Sequence, residues 1–397
     1  MSRPLPSLRQ MLEDLIATPS VSSSQPDRDQ SNLPLLELLA TWLDDAGFDV
    51  EIAALPGRPD KANLIATLGG GPGGLVLAGH ADTVPFDGHL WQHDPLRLTE
   101  DGDRLYGLGT SDMKSFFALA IEATRGLAAE TLRQPLTILA TADEESAMHG
   151  AHALLDAGRP LGRYALIGEP TGLRPVRLNK GVMGEAIRLI GRSGHASDPS
   201  LGIDALEGMH AILSDLFAWR DALATHHRHP AFAIPYPTIS PGYIHGGDNA
   251  NRICGECQLH LDLRLLPGLT PEALRAELEA RVATVAAPRG LQWEVAALFP
   301  SIPPAETPAD SAIVEAAEAL TGRPAEAVNF GTEAFFFNRL GLETVVLGPG
   351  DIAQAHQPDE YLESARIAPM IELLQGLIHR FCIEVQAGQE GPPLSGA

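Results

Sequence analysis

Five side chains of the kind that hold metal ions, His80, Asp112, Glu145, Glu169 and His356, are strung along the chain, each beside glycine, proline or a short apolar run. In Leu75-Val76-Leu77-Ala78-Gly79-His80-Ala81-Asp82-Thr83-Val84-Pro85 an apolar stretch delivers a histidine and then an aspartate. Side chains two apart on a strand share a face. Asp82 is therefore expected to hydrogen-bond the far imidazole nitrogen of His80 while the near nitrogen meets a metal. Asp112 lies in Gly107-Leu108-Gly109-Thr110-Ser111-Asp112-Met113-Lys114, a glycine-bearing loop entering a helix. A carboxylate there can offer each oxygen to a different cation, holding two about 3.5–4 Å apart; the alternative is a helix N-cap. Glu144 and Glu145 close an apolar run in Thr141-Ala142-Asp143-Glu144-Glu145-Ser146. Adjacent carboxylates point in different directions, so one can bind metal while the other faces water as a general base; the bland alternative is a solvated acidic loop. Glu169, in Gly168-Glu169-Pro170-Thr171, and His356, in Ala355-His356-Gln357-Pro358-Asp359-Glu360, would singly be turn and loop residues. Taken together, two imidazoles and three carboxylates, one of them shared, suit two zinc ions, with cobalt or manganese as substitutes. Such a pair activates water and polarises a carbonyl, which is the chemistry of amide hydrolysis.

The elements that must position these residues fall into two patterns. Apolar runs at 63–67, 74–78, 136–140 and 164–167 read as buried strands, and helical patterns at 35–46, 114–127 and 150–157 lie between them. Alternating strands and helices predict an α/β domain, a mainly parallel sheet with helices on both faces. Ligands in such sheets sit beyond the carboxyl ends of the strands, where His80, Glu145 and Glu169 fall. From Lys180 the order becomes β-α-β-β-α-β, predicting an inserted two-layer α+β domain of ferredoxin-like order. The expected division is 1–179 with 302–397 for the metal-binding domain and 180–301 for the insertion. Leu206, Met209, Leu213 and Leu216 on the inserted helix are expected to pack on its sheet, and the tail after Ala387 to be disordered. Ser7 is a candidate N-cap for a first helix with apolar positions Leu8, Met11, Leu12, Leu15 and Ile16.

At 397 residues the chain is long enough for two domains, and its 44% hydrophobic and 20% charged residues are ordinary for a soluble protein. A net charge of −23 argues against a nucleic-acid partner, which wants a basic face. No apolar run approaches the length of a membrane span. Glu13 and Asp14 interrupt the stretch where a secretory signal would need to be apolar, so a cytoplasmic location is expected. Three cysteines cannot make a disulfide framework and fit a reducing compartment. Cys254 and Cys257 form a C-x-x-C that runs into a strand-like segment rather than a helix, so both are read as ordinary strand residues. His89, His93, His149, His152 and the 226–229 run are read as surface histidines.

The motifs around His80, Asp112, Asp143-Glu144-Glu145, Glu169 and His356 resemble, in order and spacing, those of the M20 zinc metallopeptidases, the family of acetylornithine deacetylase, aminoacylase and the glutamate carboxypeptidases. The resemblance spans nearly the whole chain apart from the tail. It implies that Asp112 bridges two zinc ions, that His80 and Glu169 hold one and Glu145 and His356 the other, and that Asp82 orients His80. It makes Glu144 the general base that activates water and later protonates the leaving amine, and it implies a cis peptide after Asp112. It further implies a homodimer with the inserted domain as lid and dimerisation element, in which His195, in Gly194-His195-Ala196, reaches the other subunit's site to stabilise an oxyanion. Asn251 and Arg264 fall in the region that binds the substrate carboxylate, although Asp262 shares a strand face with Arg264 and an internal ion pair is the alternative. Residues 329–334 and 348–360 most resemble the branch that removes acetyl from N2-acetyl-L-ornithine, a step of arginine biosynthesis. Glu333 would then recognise the substrate ammonium, where desuccinylase relatives tend to place Asp and Arg at 333–334; its alternative role is a helix N-terminal residue. A broader N-acyl-amino-acid amidohydrolase, a succinyl-diaminopimelate desuccinylase-like enzyme and a dipeptidase or carboxypeptidase are the competing readings within the family.

Overall fold

The apolar runs form the expected strands because they are buried from end to end. All residues of Leu75–His80, Leu136–Thr141 and Tyr164–Ile167 are buried in the computed structural model, which describes residues 4–384. The tail after Ala387 lies outside the described residues. The described residues divide into two compact units, the first running through Arg177 and including Thr307–Ala325 and the described residues from Phe336, the second Leu178–Glu306 with Glu326–Phe335.

In the first unit the strands lie in the order Asp49–Leu55, Arg58–Leu68, Leu136–Thr141, Leu75–His80, Tyr164–Ile167, Glu343–Val346. The last four pair in parallel, and the first two form an antiparallel hairpin added at one edge. Parallel strands need long crossovers, and each crossover here carries a helix or the second unit. Leu75, Leu77, Leu136, Ile138, Tyr164 and Leu166 face one side and join a core with the helices Leu8–Ala17, Leu33–Asp45, Ser115–Ala123, Ala312–Thr321 and Ile367–Ile378. The alternate residues Val76, Ala78, Leu139, Ala165 and Ile167 are buried as well, so both faces of the sheet are covered. Ser7 caps the first helix by accepting the Gln10 N–H at 3.2 Å, and Met11, Leu12, Leu15 and Ile16 are buried on it.

The second unit is a four-stranded antiparallel sheet in the order Thr238–Gly246, Glu256–Leu265, Gly181–Ile190, Gln292–Ala297, with the helices Ala205–His226 and Pro271–Ala286 packed on it. Asp204 caps the longer helix through the N–H groups of Leu206 and Glu207. Met209 and Leu216 are buried under that helix and Leu213 packs partly against the same core, but Leu206 is half exposed because it lies off the buried stripe that runs through Ala205, Met209, Ile212 and Leu216. Cys254 and Cys257 are free and buried, and burial pushes the Cys257 thiol up to about 11, which leaves it inert.

One buried charge network ties the N-terminal segment to the sheet of the first unit. The Lys61 ammonium, fully buried, donates to Asp143 Oδ1 at 2.6 Å and Asp29 Oδ1 at 2.8 Å. Burial opposes its charge, yet these two bonds hold its pKa above the usual lysine value. Removing one partner of a buried pair leaves the others uncompensated. Lys61→Met is therefore expected to destabilise the protein by about 3–5 kcal/mol, read as a lowered denaturant midpoint; a midpoint unchanged from wild type would show that the network contributes nothing.

Candidate metal centre

Four neighbouring parallel strands end on the same side of the sheet, and the candidate ligands follow from those ends. His80 is the last residue of its strand, Glu144 and Glu145 follow Thr141, Glu169 follows Ile167, and His356 lies in the loop after Val346. Glycines precede two of them for a steric reason. A Cβ at Gly79 would meet Met113 Cε at 2.4 Å, and one at Gly168 would meet the Phe116 ring at 2.3 Å. The helix that begins beside Asp112 can thus sit directly on the strand ends. The Asp112–Met113 peptide is cis.

The ligand atoms converge as two triplets that share one residue. His80, Asp112 and Glu169 bring one ligand atom each to within 4.8 Å of one another, and so do Asp112, Glu145 and His356. Asp112 Oδ1 is 3.0 Å from His80 Nε2, while its Oδ2 is 3.6 Å from His356 Nε2. The two oxygens of one carboxylate therefore face the two histidines. His356 Nε2 also lies 3.0 Å from both oxygens of Glu145. Asp112 does not cap the following helix, whose N-cap is Lys114, so the capping alternative falls away. Glu144 adds a carboxylate oxygen within 4.8 Å of His80 and Glu145 ligand atoms.

The electrostatics of this cluster call for cations. Burial and the Asp112 charge push the Glu145 carboxyl above its usual range. Burial works against a charged His80, yet the Asp112 hydrogen bond and the charges of Glu169, Asp112 and Glu144 raise it well above the ordinary histidine value. His356 is pushed up to about 9, first by its bond to Glu145. The carboxylates thus favour positive charge at both imidazoles, and a divalent cation in each triplet supplies it more directly. The donor set of imidazole nitrogens and carboxylate oxygens fits such ions chemically.

Asp82 does not do what its spacing predicts. The His80 Nδ1–H donates to the Asp82 backbone carbonyl at 2.9 Å, and the carboxylate stays 3.8 Å away. The strand ends at His80, so the alternation that would place the two side chains on one face stops there. The buried Asp82 carboxylate instead accepts the N–H groups of Glu144 at 3.2 Å and Glu145 at 3.0 Å. The backbone bond still fixes the His80 tautomer, leaving Nε2 toward Asp112.

Three acids hold loops, and the sequence reading assigns only Asp82 a role. Asp143, with a left-handed backbone (φ 58°), accepts from Lys61 and from Ser22 Oγ at 3.2 Å, and its carbonyl accepts three following N–H groups. His149, read as a surface residue, lies with Nδ1 3.3 Å from the same carboxylate. Glu360, 1% exposed, accepts the N–H groups of Ser111, Asp112 and Gly109. Burial and the nearby Asp112 charge push its carboxyl up to about 8. His93 is not a bare surface residue either: it stacks on Tyr106 at 4.0 Å, and its Nδ1 is 3.1 Å from Asp359 in the His356 loop. Composition and periodicity offer no signal for the roles of Asp82 and Glu360 or for the Lys61–Asp143 pair, because those partners are remote in sequence.

The remaining candidates belong to the second unit. His195 is exposed, and its Nδ1 accepts the Ser197 N–H at 3.2 Å, which leaves Nε2 as the donor of the neutral ring. Asn251 sits beside it, its carbonyl accepting the Ala196 N–H at 3.0 Å. Arg264 is held by both oxygens of Asp262 at 2.9 and 3.0 Å, the internal pair that strand alternation allows. Glu333 is fully buried just before the helix Ala334–Arg339, and Thr332 caps that helix by accepting the Ala334 N–H.

Comparison with known proteins agrees with this architecture. Residues 76–380 match the model of Peptidase family M20/M25/M40. The chain is 50% identical over 389 residues to an acetylornithine deacetylase of Proteus mirabilis, covering 98% of this chain and all of that one. It is 48% identical over 382 residues to an acetylornithine deacetylase of Erwinia tasmaniensis, covering 96% of this chain and all of the relative. Among solved structures, the aminopeptidase PepT of Bacillus cereus superposes with a TM-score of 0.74 at 21% identity, over 94% of this chain and 98% of that one. With that fold, ligand-bearing strand ends in that order and relatives matched along their whole length, the chain belongs to the M20/M25/M40 peptidase family.

Proposed function

We propose that the chain is an amidohydrolase that removes the acetyl group from N2-acetyl-L-ornithine or a similar N-acyl basic amino acid, using two zinc ions. The observation that carries this reading is the pair of ligand triplets meeting at Asp112 with a further carboxylate, Glu144, beside them. Its substrate comes from the relatives named acetylornithine deacetylase, about half identical over nearly the whole chain. His80, Asp112 and Glu169 would hold one ion and Asp112, Glu145 and His356 the other, with cobalt or manganese as substitutes. Bound there, such a pair lowers the pKa of water and polarises the amide carbonyl.

The protein's own groups do the rest. Glu144 takes the proton of the attacking water and returns it to the leaving α-amine, so that the C–N bond breaks to acetate and a free amino acid. Asp82 supports this by fixing the backbone of Glu144 and Glu145 through their N–H groups. The carboxyl group of the buried Glu333 meets the ornithine ammonium, and Asn251 and Arg264 meet the α-carboxylate. In a homodimer with the second unit as lid and dimerisation element, the partner subunit's His195 donates to the tetrahedral oxyanion. No helix among the described residues is long and apolar enough to cross a membrane, and the free, buried cysteines favour a cytoplasmic location.

Glu144→Gln is expected to lower kcat about 10²–10⁴-fold while metal content stays at the wild-type level, checked by steady-state kinetics and metal analysis. Full activity in that variant would remove Glu144 from the mechanism. Dialysis against a chelator should abolish N-acetylornithine hydrolysis, and zinc or cobalt should restore it; a metal-free protein that still hydrolyses would sink the two-metal reading. For Glu333→Gln, the ratio of kcat/KM for N-acetylornithine over N-acetylmethionine should fall at least about tenfold, as loss of one charge-assisted contact implies. A ratio unchanged from wild type would take substrate recognition away from Glu333.

A further inference from the structure

The loop that carries Asp112 has no strand or helix partner for its own N–H groups, and buried donors require an acceptor. Leu108 and Thr110 reach the carbonyls of Pro95 and Gly107, whereas Gly109, Ser111 and Asp112 find theirs in one side chain. Glu360 Oε1 accepts Ser111 N–H at 2.7 Å, Asp112 N–H at 2.9 Å and Gly109 N–H at 3.1 Å, and the Glu360 carbonyl accepts Gly107 N–H at 3.0 Å. Glu360 stands four residues after His356 in the same loop. A second tie runs alongside: Ser111 Oγ accepts Asp351 N–H at 2.8 Å and donates to the Asp351 carbonyl at 3.2 Å.

We infer that Glu360 is a positioning residue for the shared carboxylate, holding the Asp112 backbone against the His356 loop so that one side chain sets the spacing of both metal positions. The reason is geometric. The Asp112 carboxylate is only two bonds from its Cα, so pinning the peptide N–H restricts where the two oxygens can lie. His356 lies in the same short loop, so displacing Glu360 would shift a ligand of the second triplet relative to the first. Three converging N–H groups form an anion-binding concavity, which a carboxylate fills without the donor that an amide would turn toward Gly109. The inference rests on the two-metal reading of the site.

The test is cobalt titration of the full-length, metal-depleted protein, followed by calorimetry and by the visible absorption of the bound ion. Wild type should take up two ions. Glu360→Ala should bind them about 10–100-fold more weakly, the usual cost of losing a group that supports metal ligands. Glu360→Gln keeps one acceptor oxygen for Ser111 and Asp112 but turns an amide donor toward Gly109, so its affinity should fall between the two. Its cobalt spectrum should also differ from wild type. Should Glu360→Ala fail to fold, Glu360→Gln alone decides. A merely structural role would lower the melting temperature and leave cobalt affinity and spectrum at wild-type values, and that result in a folded variant overturns the inference. Uptake of fewer than two ions by wild type would instead remove the two-metal reading, and the role assigned to Glu360 with it.

Discussion

Negative charge gathered around Asp112 is the constraint from which the rest of the first unit follows. Asp112 shares its two oxygens between His80 and His356, with Glu145 and Glu169 completing the two triplets. Carboxylates at such separations repel strongly where water is excluded. The arrangement persists only if cations neutralise it and if the backbone beneath each acid is too well held to spread apart. The imidazoles raised toward their protonated forms are the same requirement seen from the nitrogen side.

The protein meets that requirement with further acids that stand outside the two ligand triplets. Asp82 binds the N–H groups of Glu144 and Glu145, Asp143 anchors the same loop to Lys61, and Glu360 gathers the N–H groups of the Asp112 loop. Each is a buried acid whose hydrogen bonds offset part of the cost of taking it out of water. A turn stabilised by backbone bonds alone would leave these donors unsatisfied, since irregular loops offer few carbonyls in reach. Backbone support is thus made from the same residue types as the ligands, which is why the Asp82 spacing misleads.

The division of labour between the two units follows from their layers. A parallel sheet buried on both faces gives rigid strand ends with loops on one side, suited to a dense cluster of ligands. The antiparallel sheet of the second unit instead presents polar residues such as His195, Asn251 and Arg264 on exposed loops and strand faces. Glu326–Phe335, which follows the insertion in the chain, groups with this second unit and brings Glu333 into it. That return could not be read from a composition shift, because it depends on a short pairing rather than on a domain-sized pattern.

By itself the sequence determined the buried strands of the parallel sheet, the helices between them, the βαββαβ order of the second unit and the identity of the metal-ligand candidates, because those signals are local: period-2 and unbroken apolar runs, caps, and acids or histidines just past a strand. Only the tertiary structure decided which acid holds metal-facing groups and which holds backbone. Lys61 and Asp143 are 82 positions apart, and Glu360 and the Asp112 N–H are 248 apart. An aspartate or glutamate is chemically equal to every role in this site. What separates a ligand from a support is the set of donors that the folded chain brings to it.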